Sequence, residues 1–130
     1  MIVLDASAAI DWLLQTPAGE RIESRIFSQS ESLHCPHVLD LEVAQVLRRL
    51  TRETVISAHR AEEAIHDLLD MKITRYPHFV FLPAIWQQRH NLSSYDSAYV
   101  VLARELQATL ITRDAPLAAA VGRAGDVEVF

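Results

Sequence analysis

Four acidic residues sit where acids are out of place. Asp5 ends the apolar run Ile2-Val3-Leu4, and Asp114 follows the apolar segment Leu110-Ile111-Thr112 by two residues. Glu42 lies three residues after Leu39 and four before Val46, and Asp96 lies three before Tyr99 and four before Val100. Both are therefore on the apolar side of a helical pattern. Charged side chains are almost never buried unless paired. Lys72 is the only lysine, and no arginine shares a stripe with any of the four at helical spacing. Isolated buried carboxylates cost several kcal/mol each, and four together repel. A divalent cation answers both costs. Hard cations take oxygen ligands, and magnesium is held by a few carboxylates plus water. Asp5, Glu42, Asp96 and Asp114 are accordingly the candidate ligands of a Mg2+ or Mn2+ site. Ser7 and Thr112 stand beside two of these acids and are read as hydroxyl donors to carboxylates. Ordinary roles exist for each residue singly: an Asx turn at Asp5, first-turn acids at Asp96 and Asp114, a rim position for Glu42, a helix cap at Ser7. They do not account for four acids in matching surroundings.

The elements that must position these groups follow from the pattern. Ile2 to Leu4 and Thr109 to Thr112 read as buried strands of a parallel sheet. Ligands in such sheets gather beyond the carboxyl ends of strands, where Asp5 and Asp114 fall. Ser7 caps a helix over Ala8 to Gln15, and a second runs from about Ala18 to Gln29 after the break at Thr16-Pro17. Ser32 to Cys35 is a short strand, and Pro36 opens a helix over about His37 to Arg52, with Leu39, Val43, Val46, Leu47 and Leu50 inward. Ser57 caps a helix to about Lys72. Phe79 to Leu82 reads as a strand or extended segment, and Pro83 to His90 as a short helix. Ser93 or Ser94 caps a helix to about Leu106, Pro116 to Val121 is a last short helix, and Val127 to Phe130 a closing strand. Alternating strands and helices predict an α/β fold with a central parallel sheet and helices on both faces.

The 130 residues, half of them hydrophobic, suit a single domain over 1–130, with no repeat or linker visible. Cys35 is the only cysteine, so no internal disulfide forms. No apolar run spans a bilayer, and no basic n-region precedes the first apolar run. The expectation is a cytoplasmic protein. A formal charge of −5 argues against a broad basic surface for nucleic acid, although a metal-loaded acidic cluster reverses its own local charge.

The sequence resembles the PIN-domain ribonucleases of the VapC toxin type, from type II toxin–antitoxin systems. The matching pieces are Val3-Leu4-Asp5-Ala6-Ser7; Pro36 through Leu41-Glu42 with Leu47; Tyr95-Asp96-Ser97-Ala98-Tyr99 with Leu102-Ala103; and Leu110-Ile111-Thr112-Arg113-Asp114 with Leu117-Ala118. They come in the family's order over nearly the whole chain. Ser97 stands where the family more often has alanine. The resemblance implies a metal-dependent endoribonuclease with Asp5, Glu42, Asp96 and Asp114 as its catalytic acids. It also implies a homodimer and a VapB-like antitoxin partner that silences the enzyme. With the acid cluster it points to hydrolysis of a phosphodiester, leaving 5′-phosphate and 3′-hydroxyl ends. One metal would activate water and a second the leaving oxygen. Asp5 and Asp96 would touch metal most directly. Arg113 is a candidate phosphate contact, with Arg48, Arg49, Arg52, Arg75, Arg89 and His90 as weaker ones.

Rivals are a receiver-like, magnesium-binding phosphoacceptor domain and a catalytically silent PIN-like partner-binding module. The first lacks the lysine that such domains carry near the last strands. The second is disfavoured by the presence of all four acids. Asp-x-Asp, as in haloacid-dehalogenase phosphatases, is absent because Ser7 holds the second position. His34-Cys35-Pro36-His37 falls short of a four-ligand zinc site. Trp12, Trp86, Tyr95 and Tyr99 read as core or dimer contacts.

Overall fold

The structure is a computed structural model that describes residues 1–122 and 125–130. Its element order is β1 (Ile2–Leu4), α1 (Ala6–Leu13), α2 (Pro17–Ser28), β2 (Leu33–Pro36), α3 (Val38–Arg52), α4 (Ala58–Asp70), β3 (Ile73–Tyr76), a 3-10 turn (His78–Phe81), α5 (Leu82–Gln87), α6 (Ser94–Leu106), β4 (Thr109–Thr112), α7 (Ala115–Val121) and β5 (Val127–Val129). The five strands form one parallel sheet in the order β3-β2-β1-β4-β5. β1 is central, and Ile2, Val3 and Leu4 are each completely buried. Alternate residues of a strand point to opposite faces, so both faces of β1 are covered. Each of these side chains contributes about 1.5–3 kcal/mol by leaving water. The expected α/β architecture with helices on both faces is the one observed.

The strand order reverses at β1. The chain leaves β1 toward β2 on one side, and β4 arrives on the other. Such a switch point opens a crevice beyond the carboxyl ends of the two strands. Asp5 follows β1 and Asp114 follows β4, so the two acids flank it.

One helix crossing depends on glycine. A Cβ on Gly19 of α2 would stand 1.9 Å from the Asp11 carbonyl oxygen of α1, so only glycine permits this approach. Thr16 completes the junction: its hydroxyl accepts the Gly19 N–H (3.1 Å) and donates to the Asp11 carboxylate (2.7 Å).

Three expectations need correction, and one strand was not foreseen. The cap of α1 is Asp5 and not Ser7, which lies in the first turn. Pro36 closes β2 instead of opening α3; a strand's end tolerates the missing N–H. Ile73–Tyr76 is a strand, concealed in the sequence because an edge position leaves it only half-buried. Phe79 to Leu82 is no strand: a 3-10 turn runs into α5, whose first turn holds Pro83 with its preset φ. The apolar side chains of this segment are a surface feature, since Phe79, Val80 and Leu82 are all exposed. Among the described residues, no helix is long and apolar enough to cross a membrane.

Candidate active site

Asp5 is the best-defined group at the crevice, and it is buried. Its Oδ1 accepts the Ala6 N–H (2.8 Å), while Oδ2 accepts the hydroxyls of Ser7 (2.8 Å) and Thr112 (2.7 Å). The direction of both hydroxyl protons is dictated by the Asp5 carboxylate, which only accepts. Ser7 Oγ already accepts the Arg113 N–H (3.0 Å), and Thr112 Oγ1 accepts the Asp114 N–H (2.9 Å). Each hydroxyl carries a single proton, and each sends it to Asp5. The 3.3 Å approach between the two hydroxyls is a by-product of that convergence. Burial nonetheless pushes the Asp5 carboxyl above its ordinary range. The three hydrogen bonds pull it back in part, and the charge of Asp114 raises it further.

Glu42 projects from α3, where its half-buried carboxylate accepts the phenol of Tyr99 (2.7 Å). Tyr99 itself is completely buried on α6, three residues beyond Asp96. Burial raises the Glu42 carboxyl, the Tyr99 hydrogen bond lowers it, and the charges of Asp5 and Asp96 add to the rise. Asp96 lies in the first turn of α6, whose cap Ser93 accepts the Asp96 N–H (3.1 Å). Its carboxyl is raised by burial first and by the charge of Asp5 next, with Asp114 contributing too. Asp114 caps α7, accepting the Leu117 N–H on Oδ1 (2.9 Å).

The acids, separated by up to 109 residues of chain, are thus linked electrostatically: Asp5 with the other three, and Asp96 with Glu42 and Asp114. They are not drawn into a tight cage. Among the described residues, no three acidic, imidazole or thiol side chains are gathered closely enough to hold a metal ion unaided. Magnesium does not ask for such a cage: it is usually bound by one or two carboxylates and keeps several waters. An all-oxygen donor set in which burial raises the carboxyls of Asp5, Glu42 and Asp96 fits that ion.

A consequence for the metal-free protein follows from Glu42. Its carboxyl titrates higher in the folded chain than the ordinary 4.5, so the native state holds the proton more tightly. Stability from this source is complete below about pH 4.5 and is lost as pH rises through the folded value. Gln keeps an oxygen for Tyr99 and carries no charge. In chelator, Glu42→Gln is expected to melt with the wild type at low pH and progressively above it toward neutrality. Calorimetric melts across pH 4 to 7 measure the divergence, and parallel curves would exclude it.

Arg113 is already engaged. Its Nε donates to the Asp11 carboxylate (2.6 Å), and its Nη1 donates to the Phe130 carbonyl. Arg75 is held by Asp40 (2.7 Å) and the Leu68 carbonyl, and Arg89 lies over the Trp86 ring, 4.9 Å from its centre. Arg49 makes only a long, exposed pair with Glu53. Sequence reasoning missed the role of Tyr99, which it treated as core or dimer contact. The spacing Asp96–Tyr99 on one face was the available signal. It also passed over Asp11 and Thr16, whose significance depends on Arg113. His34 is buried between Ser32 and Tyr76, hydrogen-bonded to both at 2.8 Å, and burial lowers its pKa. Ser97 is completely buried, and among the described residues its Oγ finds no hydrogen-bond partner, at a cost of ~1–3 kcal/mol.

The PIN domain pattern matches residues 2–122 of the chain. Ribonuclease VapC9 of Mycobacterium tuberculosis H37Rv is 40% identical over 114 residues, covering 88% of this chain and 86% of that protein. This chain belongs to the PIN-domain family of VapC ribonucleases. Ribonuclease VapC12 of the same organism is 36% identical over 129 residues, covering 99% of this chain and 98% of the relative. Among solved structures, PAE2754 of Pyrobaculum aerophilum matches with a TM-score of 0.73 at 21% identity, covering 99% of this chain and 83% of that one. At that identity the likeness speaks for the PIN fold alone.

Proposed function

We propose that this PIN-domain protein is the toxin of a type II toxin–antitoxin pair, an endoribonuclease that hydrolyses RNA phosphodiester bonds with a carboxylate-held divalent metal. What supports the chemistry is that Asp5 and Asp114 flank the sheet's switch point, while Glu42 and Asp96 lie near enough to feel the charge of Asp5. The 40% identity to a protein named as a ribonuclease carries the substrate class. Asp5 and Asp96 would hold Mg2+, or Mn2+, most directly, with Glu42 and Asp114 completing the ligand set or orienting water. When bound, the ion supplies charge neutralisation at the scissile phosphate and activation of the attacking water. The chain's own residues do the positioning. Ser7 and Thr112 hold Asp5 in one rotamer as an acceptor. Tyr99 holds one oxygen of Glu42 and leaves the other free. The raised carboxyls of Asp5, Glu42 and Asp96 favour proton uptake until a cation replaces the proton, so binding is expected to release protons.

RNA cleavage is expected in Mg2+ or Mn2+ and to stop in excess chelator, returning when metal is restored. Cleavage indifferent to chelator would remove the metal from this reading.

Two surfaces support the partners. A groove of about 720 Å3 opens between α1 and α2 on one side and α4 with the start of β3 on the other; Trp12, Leu13, Ile26 and Phe27 supply its apolar wall. None of the four acids lines it. An amphipathic antitoxin helix, VapB-like, would lay its apolar face there. Separately, Phe79, Leu82 and Trp86 recur at intervals of three and four residues and are 70%, 55% and 62% exposed. That apolar stripe suits a homodimer contact. Trp86→Glu is expected to convert a dimer to a monomer in light scattering without lowering the melting temperature of the isolated fold. A monomeric wild type would end the dimer proposal. Action in the cytoplasm, where antitoxin and RNA meet, completes the reading.

A further inference from the structure

Arg113 grasps α1 at two points one turn apart. Its backbone N–H reaches Ser7 Oγ (3.0 Å), and its guanidinium Nε reaches Asp11 Oδ2 (2.6 Å). Ser7 and Asp11 are four residues apart on α1, so they present one face of the helix. The second arm of the guanidinium holds the Phe130 carbonyl beyond β5. Asp11 is itself fixed, because Thr16 donates to its other oxygen and the Gly19 crossing presses α2 against its carbonyl. The residue on either side of Arg113 belongs to the site: Thr112 gives its proton to Asp5, and Asp114 stands across the crevice. We infer that the Arg113–Asp11 pair is a clasp that sets the spacing between the acids of β1 and β4, making both positioning residues for divalent-ion binding; Arg113 does not act as a phosphate grip.

The physical case rests on where the charge is spent. At 2.6 Å the pair is a short charge-assisted contact, with the Asp11 side chain 21% exposed and that of Arg113 39%. A phosphate would have to compete with a carboxylate already anchored by a hydroxyl. Releasing the guanidinium leaves Ser7 as the one α1 side chain holding Arg113, while Thr112 stays tied to β5 through the Phe130 N–H (3.1 Å) and Asp114 stays the cap of α7. With α1 no longer clamped to the end of β4, the distance between the two is free to widen, which lengthens the Thr112–Asp5 hydrogen bond and moves Asp114 relative to Asp5. Loss of a group that orients metal-binding carboxylates lowers metal affinity by roughly 10- to 100-fold.

The inference rests on the metal-dependent reading above, and its test separates the two. Mn2+ binding to the full chain, without RNA, is followed by the loss of the free-ion electron paramagnetic resonance signal. The proteins are wild type, Asp11→Asn, Arg113→Gln, Arg113→Lys and the double variant Asp11→Asn with Arg113→Gln. Melting curves in chelator run alongside. Asp11→Asn keeps the size of the side chain and its bond to Thr16, so it guards against a variant that does not fold. A clasp predicts that each neutral single variant binds Mn2+ about tenfold more weakly. The double variant is then no weaker than the worse single one, and Arg113→Lys recovers most of the affinity. Unaltered Mn2+ affinity in Asp11→Asn overturns the clasp, as does an additive loss in the double variant. A raised KM for RNA in Arg113→Gln with unchanged metal affinity also overturns it, in favour of a phosphate contact. A wild type that binds no Mn2+ instead sinks the metal reading itself, and the clasp with it.

Discussion

Asp5→Asn is expected to lower single-turnover RNA cleavage by about 10^3-fold, the equivalent of ~4 kcal/mol of transition-state stabilisation. The carboxylate lies where three donors converge: the Ala6 N–H and the hydroxyls of Ser7 and Thr112. Asparagine is nearly isosteric and remains a good helix cap. Its one oxygen can take both hydroxyls, but its amide then faces the Ala6 N–H, donor against donor. That local loss is about 1 kcal/mol, far too little to unfold a chain whose central strand is wholly buried. Cleavage and stability are therefore expected to separate. The rate collapses, Mn2+ binding weakens, and the melting temperature in chelator changes by a few degrees at most. Asp96→Asn is expected to behave alike. A rate within tenfold of wild type in the Asp5→Asn, Asp96→Asn double variant would falsify the carboxylate mechanism.

Tyr99→Phe removes one oxygen atom from the centre of the fold and is expected to cost 10- to 100-fold in cleavage, the usual range for groups that orient a ligand carboxylate. The ring stays, so α6 keeps its packing. What is lost is the phenol proton that fixes Glu42 across the gap between α6 and α3. That hydrogen bond also lowers the Glu42 carboxyl, opposing burial and the charges of Asp5 and Asp96. Without it the carboxyl titrates higher still, and the pH at which cleavage reaches half its plateau moves up. Glu42→Gln combined with Tyr99→Phe is expected to be no slower than Glu42→Gln alone, because the phenol acts only through the carboxylate. Rate constants across pH 5 to 8 decide the matter. A Tyr99→Phe enzyme with wild-type rate and wild-type pH dependence would return Tyr99 to a purely packing role.

The sequence by itself determined the strands at the centre of the sheet and the helices around them, and it singled out four acids, of which the fold buries Asp5 and half-buries Glu42, Asp96 and Asp114. Those signals are local. A run such as Ile2-Val3-Leu4 announces burial through its own composition, and Glu42 or Asp96 announces its face through the 3.6-residue period. Local pattern is silent where a residue's role is set by a partner far along the chain. Arg113 looked free for phosphate because nothing near it in sequence shows Asp11, 102 residues away, waiting at the neighbouring helix. Tyr99 looked like core because its ring is core; only the fold brings Glu42, 57 residues earlier, to its hydroxyl. β3 was hidden for a related reason, since an edge strand draws its identity from the hydrogen bonds of β2 more than from its own hydrophobicity. The direction of the Thr112 proton is a tertiary property too, decided by the Asp5 carboxylate, 107 residues earlier, that its oxygen reaches. Composition selects which side chains are buried. Which of them then share a proton or a charge is decided by the order in which the strands lie.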